Sequence, residues 1–133
     1  MTAKINHIAI VVADIDKALK VYHDTLGLPL EAVHDEPDEA VRVAYMPTPS
    51  GEVELIQPTT ADSGVAKYLA KRGEGLHHVC LEVESIEENI AKMAASGMEI
   101  LGQPRTNKRG DKYVFVHPKS AHGVLIELYE KAA

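Results

Sequence analysis

The chain says nearly the same thing twice, and that repeat limits its fold more than any other feature. Residues 5–18 read INHIAIVVADIDKA, and residues 73–88 read GEGLHHVCLEVESIEE. Each run places a histidine at the head of an alternating apolar stretch, then an acidic cap, then a helical pattern. His7 and His78 stand 71 positions apart. The strand ends repeat as well. VELIQP carries Glu54 and VLIELY carries Glu127, 73 positions on.

Between these landmarks each half reads as βαβββ. Ile5, His7, Ala9 and Val11 share one strand face and Asn6, Ile8, Ile10 and Val12 the other, so both faces are apolar enough to be covered. Asp14 is an N-cap, and Ile15, Leu19, Tyr22 and Leu26 recur at helical spacing until Gly27 ends the helix. LPLEAVHDE, VRVAYMP and GEVELIQP follow as strands, the last two joined by the turn sequence PTPSG. Asp62 or Ser63 caps a short connecting helix that packs Val65, Tyr68 and Leu69 and exposes Lys67, Lys71 and Arg72. The second half then repeats the order. Leu76–Val83 is a strand, Ser85 and Glu88 form a capping box, and Ile86, Ile90 and Met93 line a helix that Gly97 stops. MEILG, DKYVFVHP and HGVLIELY are the remaining strands, with a polar loop over Arg105–Gly110.

A βαβββ unit of about 60 residues is marginal alone, so the two are expected to pair their sheets and share one core. The predicted class is α+β, a curved mixed sheet built from two βαβββ repeats around a metal site. The chain of 133 residues is read as a single domain, with repeat one at about 4–58, a linker helix at about 61–72 and repeat two at about 75–130.

Composition excludes several functions. A net charge of −6 argues against a surface that neutralises many nucleic-acid phosphates. The charge is uneven: residues 1–66 hold 4 basic and 11 acidic residues, and residues 67–133 hold 10 and 9. A polyanionic small molecule would therefore lean on the later part. No run approaches the roughly 18 apolar residues of a membrane span, and no secretory leader pattern opens the sequence. The cytoplasm is the expected compartment. Cys80 is the only cysteine, which excludes an internal disulfide, and its place in HHVCLEV reads as a small buried residue.

The chemistry lies in the matched pairs. A carboxylate in the middle of an apolar strand is costly unless it is paired or bound to a metal. An isolated strand histidine is ordinarily a half-buried core residue, and an isolated strand glutamate ordinarily faces water. Here one of each recurs at equivalent positions. Two neutral imidazoles and two carboxylates suit a divalent first-row ion and leave two of six positions open. His77 competes with His78, but the register of NHIAI against HHVCL selects His78. His117 and His122 sit at strand edges, suited to shaping a turn or touching substrate, and His23 and His34 fall in no pattern.

The repeat with its His, Glu, His and Glu resembles the vicinal oxygen chelate superfamily. More narrowly, NHIAIVVADIDKALKVYHDTLG, VRVAYMP, VELIQPT, KYLAKRGEGLHHV and FVHPKSAHGVLIEL resemble the methylmalonyl-CoA epimerases over essentially the whole length. The resemblance implies that His7, Glu54, His78 and Glu127 are metal ligands. It implies Co2+ as the expected ion, with Mn2+, Zn2+, Ni2+ or Mg2+ as substitutes, a CoA thioester as substrate, and a homodimer. It further implies epimerisation through an enolate, with Glu127 also serving as a base. Some relatives carry a second, non-ligand glutamate where this chain has Val43. Asp38, Glu39 or water are then the alternatives for the other face of the carbon. Lys67, Lys71, Arg72, Lys108, Arg109, Lys112 and Lys119 are the cations suited to CoA phosphates. The alternatives in function are a glyoxalase-type isomerase, an extradiol dioxygenase, and a binding protein without turnover.

Overall fold

The computed structural model describes residues 3–133. Its contacts divide the described residues into two compact units, one spanning His7–His77 and the other His78–Ala133 together with residues 3–6.

In the first unit the strands are β1 (Lys4–Val11), β2 (Ala32–Glu36), β3 (Val41–Thr48) and β4 (Gly51–Pro58), in the order β2-β3-β4-β1. β1 runs parallel to β4, while β2–β3 and β3–β4 are antiparallel hairpins. The turn at Pro49 and Ser50 joins Thr48 to its partner Gly51, as PTPSG implies. Helix α1 (Ile15–Leu19) starts at Asp14, whose carboxylate accepts from the Lys17 N–H. It packs Ile15, Ala18 and Leu19 on Val12, Ala44, Met46 and Leu55, on one face of the sheet. Helix α2 (Gly64–Arg72), capped by the Ser63 hydroxyl, packs Val65, Tyr68 and Leu69 on the opposite face, over Ala9, Val11, Val41, Val43 and Ile56.

One helical expectation fails. After Leu19 the chain continues as a π-helical stretch, Lys20–Thr25, closed by the Leu26 N–H on the Val21 carbonyl at 2.8 Å. Wider turns change the phase of the side chains. Leu26 therefore leaves the apolar stripe and is 64% exposed, and Leu28 and Leu30 join that core instead. Gly27 then turns the chain at φ +81. The second strand is correspondingly shorter than LPLEAVHDE suggests.

The second unit repeats the plan with β5 (Gly75–Glu82), β6 (Ile100–Thr106), β7 (Lys112–Val116) and β8 (Ile126–Glu130), ordered β5-β8-β7-β6. β5 is parallel to β8, and the other two pairs are antiparallel. Helix α3 (Ile86–Ala95) packs Ile86, Ile90 and Met93 on Val114, Val116 and Leu128. Ser85 accepts from the Glu88 N–H at 3.2 Å, which is half of the anticipated capping box. The expected loop at Arg105–Gly110 is shorter, because β6 runs through a register shift between Leu101 and Arg105 and ends at Thr106.

Both units share a device that periodicity does not reveal. The last strand of each repeat ends in a side chain that reaches the first N–H of that unit's helix. Gln57 Oε1 accepts from Ile15 N, and Glu130 Oε1 accepts from Ile86 N, each at 2.8 Å. One orphan donor per helix is thereby satisfied from the sheet, which ties each of these helices to the strand that carries Glu54 or Glu127.

Candidate functional site

Register decides which side chains meet. In the first unit Ala9 is paired with Glu54, and His7 lies two residues before Ala9 on the same strand. His7, Ala9 and Glu54 therefore share one face. His7 Nδ1 lies 3.4 Å from Glu54 Oε2. In the second unit the same relation recurs: Cys80 is paired with Glu127, and His78 lies two residues before it. His78 Nε2 lies 3.1 Å from Glu127 Oε1. Each repeat thus builds one imidazole–carboxylate pair from its two parallel strands.

The surroundings are apolar. His7 is 7% exposed, and His78 and Glu127 are each 8% exposed. Phe115 stands edge-on to the His78 ring, centroids 5.4 Å apart, and so fixes its plane. Cys80 is fully buried with Tyr113 and Tyr129. Carboxylates placed so deeply need a compensating charge or donor. In each unit an imidazole nitrogen and a carboxylate oxygen stand together, and both are donor types that suit a divalent first-row ion.

The other histidines are accounted for differently. His77, adjacent to His78, turns to Tyr68, ring centroids 4.7 Å apart. His23 Nδ1 is hydrogen-bonded to the Leu28 carbonyl at 2.6 Å and closes the π-helical stretch. His117 caps a short 3-10 turn at Pro118–Ala121, accepting from the Lys119 N–H, and His122 ends that turn at φ 57. Both edge histidines thus shape a turn. His34 lies beside Tyr45 on the exposed edge strand.

Sequence reasoning missed two arrangements on these faces. Tyr45 is paired across the sheet with Glu54, and its hydroxyl donates to Glu36 Oε2 at 2.8 Å. Val43, 4% exposed, packs below it with Val11 and Ile56. The turn bearing Asp38 and Glu39 adjoins Val41, four residues along β3 from Tyr45. At about 3.3 Å per residue the backbone there is roughly 13 Å from the Glu54 row; it is the same row as Glu36, whose carboxylate nonetheless reaches the Tyr45 hydroxyl.

In the second unit, Tyr129, two residues after Glu127, donates to Asp111 and accepts from Asn107 Nδ2 at 2.9 Å and Arg109 Nη2 at 3.1 Å. The Ala132 N–H and the Tyr129 hydroxyl hold the Asp111 carboxyl down at about 2. Burial pushes the Tyr129 phenol up, so it stays a donor. A shallow cleft of about 310 Å³, lined by Leu101, Gln103, Arg105, Tyr113 and Phe115 among others, opens along β6 and β7.

Residues 6–115 match the Glyoxalase/Bleomycin resistance protein/Dioxygenase superfamily, and the chain belongs to it. Within that superfamily its relatives include methylmalonyl-CoA epimerases and, at lower identity, probable lactoylglutathione lyases. The ethylmalonyl-CoA/methylmalonyl-CoA epimerase of Cereibacter sphaeroides is 37% identical over 131 residues, covering 96% of this chain and 98% of that protein. The crystal structure of the Mycobacterium tuberculosis methylmalonyl-CoA epimerase superposes with a TM-score of 0.87 at 32% identity, over 98% of this chain and 89% of that one. A methylmalonyl-CoA epimerase in complex with methylmalonyl-CoA and NH4+ gives a TM-score of 0.87 at 33% identity, over 100% and 97% of the two chains. The fold is the vicinal oxygen chelate fold.

Proposed function

We propose that the protein interconverts the (R) and (S) epimers of methylmalonyl-CoA, using a divalent ion held by His7, Glu54, His78 and Glu127. One observation carries the reading. Each repeat of a chain 37% identical to an epimerase over 96% of its length builds the same imidazole–carboxylate pair, His7 with Glu54 and His78 with Glu127.

A divalent ion bound there would supply Lewis acidity to the carboxylate and thioester oxygens of the substrate. The remaining work falls to side chains. The α-proton of a 2-methylmalonyl thioester lies between two electron-withdrawing groups and is acidic enough for a carboxylate base in a dry site. Glu127 takes that proton, with His78 holding one of its oxygens in place. Return of a proton to the opposite side of the carbon inverts the centre. On the β3 side, Tyr45 with its hydroxyl on Glu36 is the polar pair beside Glu54. The apolar lining of both faces, from Ala9 and Cys80 to Phe115, limits water near the carbanionic carbon.

Co2+ is the ion expected from the resemblance to relatives, and a homodimer and a cytoplasmic location belong to the same reading. Among the described residues no helix is long and apolar enough to cross a membrane. The test is optical. A single epimer of methylmalonyl-CoA incubated with metal-loaded protein should change its circular dichroism to that of the equilibrated pair of epimers, the chiral CoA moiety keeping a residual signal. Retention of the starting signal at stoichiometric enzyme would defeat the proposal.

A further inference from the structure

We propose that the solvent face of α2, through Lys67, Lys71 and Arg72, binds the phosphates of the CoA thioester; the proposal rests on the epimerase reading above. The candidate cations differ in what already occupies them. Lys112 is taken by Glu87 at 3.0 Å, and Arg109 is held by Tyr129 and Asp111. Lys108 and Lys119 are single lysines, one in the loop after β6 and one in the turn after β7. By contrast α2, GVAKYLAKR, holds three cations and no acid in nine residues. Among the described residues none of the three makes an ion pair.

That lack of pairing needs a reason, because the unit around α2 is acidic. Residues 7–77 hold 12 acidic and 6 basic residues, and half of the basic ones lie on this helix. Glu74, the acid that follows the helix, is turned away and accepts from the Ala13 N–H at 2.9 Å. The helix dipole favours cations in the last turn, which accounts for placing Lys71 and Arg72 there. It does not account for Lys67, one turn before Lys71, where like charges at i and i+4 repel. An anion shared among them would relieve that repulsion.

Arg72 is also positioned in advance. Its guanidinium lies over the Tyr68 ring, 5.4 Å from the centroid. That ring is fixed by its hydroxyl on the Leu76 carbonyl at 2.9 Å and by His77 on its edge. A planar cation held in this way pays less ordering entropy when it takes a phosphate. The helix lies over the sheet face that carries His7 and Glu54, packing on Ala9, Val11 and Val43 of that face. An acyl group beside Glu54 and a pantetheine arm passing α2 would bring the phosphates to its outer side.

The experiment compares two substrates: methylmalonyl-CoA, and the methylmalonyl thioester of N-acetylcysteamine, which has no phosphate. The variable is the ratio of their kcat/KM values in the metal-loaded enzyme. The double variant Lys67→Glu/Lys71→Glu changes only exposed side chains and should lower that ratio by about tenfold, through KM, at low salt. The loss should shrink as ionic strength rises. Lys92→Glu on α3 serves as a control for net charge and should leave the ratio alone. An unchanged ratio in the double variant, including a proportional loss with both substrates, overturns the α2 site while the epimerase reading stands. A wild-type enzyme that epimerises neither thioester overturns both.

Discussion

Replacing Asp111 by Asn tests whether the network on Tyr129 stabilises the second unit. Asp111 is buried and accepts from Ala132 N at 2.9 Å, from the Tyr129 hydroxyl, and from Arg109 Nε at 3.3 Å. The magnitude can be reached in two ways. Its carboxyl is lowered from 3.8 to about 2, and at 1.36 kcal/mol per unit that difference is worth roughly 2 kcal/mol. Independently, a buried hydrogen-bonded charge that loses its charge-assisted bonds costs about 1.5–3 kcal/mol. The amide also presents an N–H to a hydroxyl that already accepts from Asn107 and Arg109. The sign follows from linkage. A carboxylate whose folded pKa is depressed contributes stability above its unfolded pKa and loses it as pH falls through the folded value. The gap between wild type and Asp111→Asn should therefore be about 2 kcal/mol from pH 7 to pH 5, and narrow below about pH 4. Urea unfolding followed by far-UV circular dichroism at several pH values measures it. A gap below about 0.5 kcal/mol at pH 7, or one that does not narrow in acid, would refute the reasoning.

Three further outcomes follow from the same structure. His78→Ala should abolish stoichiometric binding of a divalent ion, read by equilibrium dialysis with elemental analysis, while His77→Ala should retain it because His77 packs on Tyr68; equal loss would mean the wrong histidine of the pair. Glu127→Gln keeps a ligating oxygen but cannot accept a proton, so metal should be largely retained while kcat falls by roughly 10²–10⁴; near-full activity would remove Glu127 as a base. Glu130→Ala frees the Ile86 N–H and should cost about 1 kcal/mol, the usual weight of a helix N-terminal partner, in thermal unfolding of the apoprotein; no change would mean water replaces it without cost.

How far the sequence discloses this molecule depends on whether a feature is local. The strand faces were legible, because alternation in INHIAIVV and HHVCLEV is a period-two signal that neighbours cannot alter. The pairing of His7 with Glu54 and of His78 with Glu127 was legible only through the repeat. Neither strand alone reveals its partner's register. Leu26 was misplaced because a π-helical turn follows from how the segment must close onto Leu28, and helical periodicity carries no trace of it. β6 runs beyond its expected end because β7 supplies partners to Arg105 and Thr106, a tertiary cause. The bonds from Gln57, Glu130, Tyr45 and Asp111 span 9 to 44 residues. Polar side chains that act at such a distance look like ordinary surface residues until the fold brings their partners near.

The central claim is that this chain exchanges the α-proton of methylmalonyl-CoA at a site built from two matched His–Glu pairs. The direct measurement is deuterium incorporation at that carbon in D2O, followed by mass spectrometry, with metal-loaded enzyme, chelator-treated enzyme and Glu127→Gln. The account predicts complete exchange of both epimers by the loaded enzyme, loss of exchange on chelation with recovery on adding Co2+, and exchange by Glu127→Gln slowed by roughly 10²–10⁴. Exchange at background rate with bound metal, or undiminished exchange by Glu127→Gln, would contradict it.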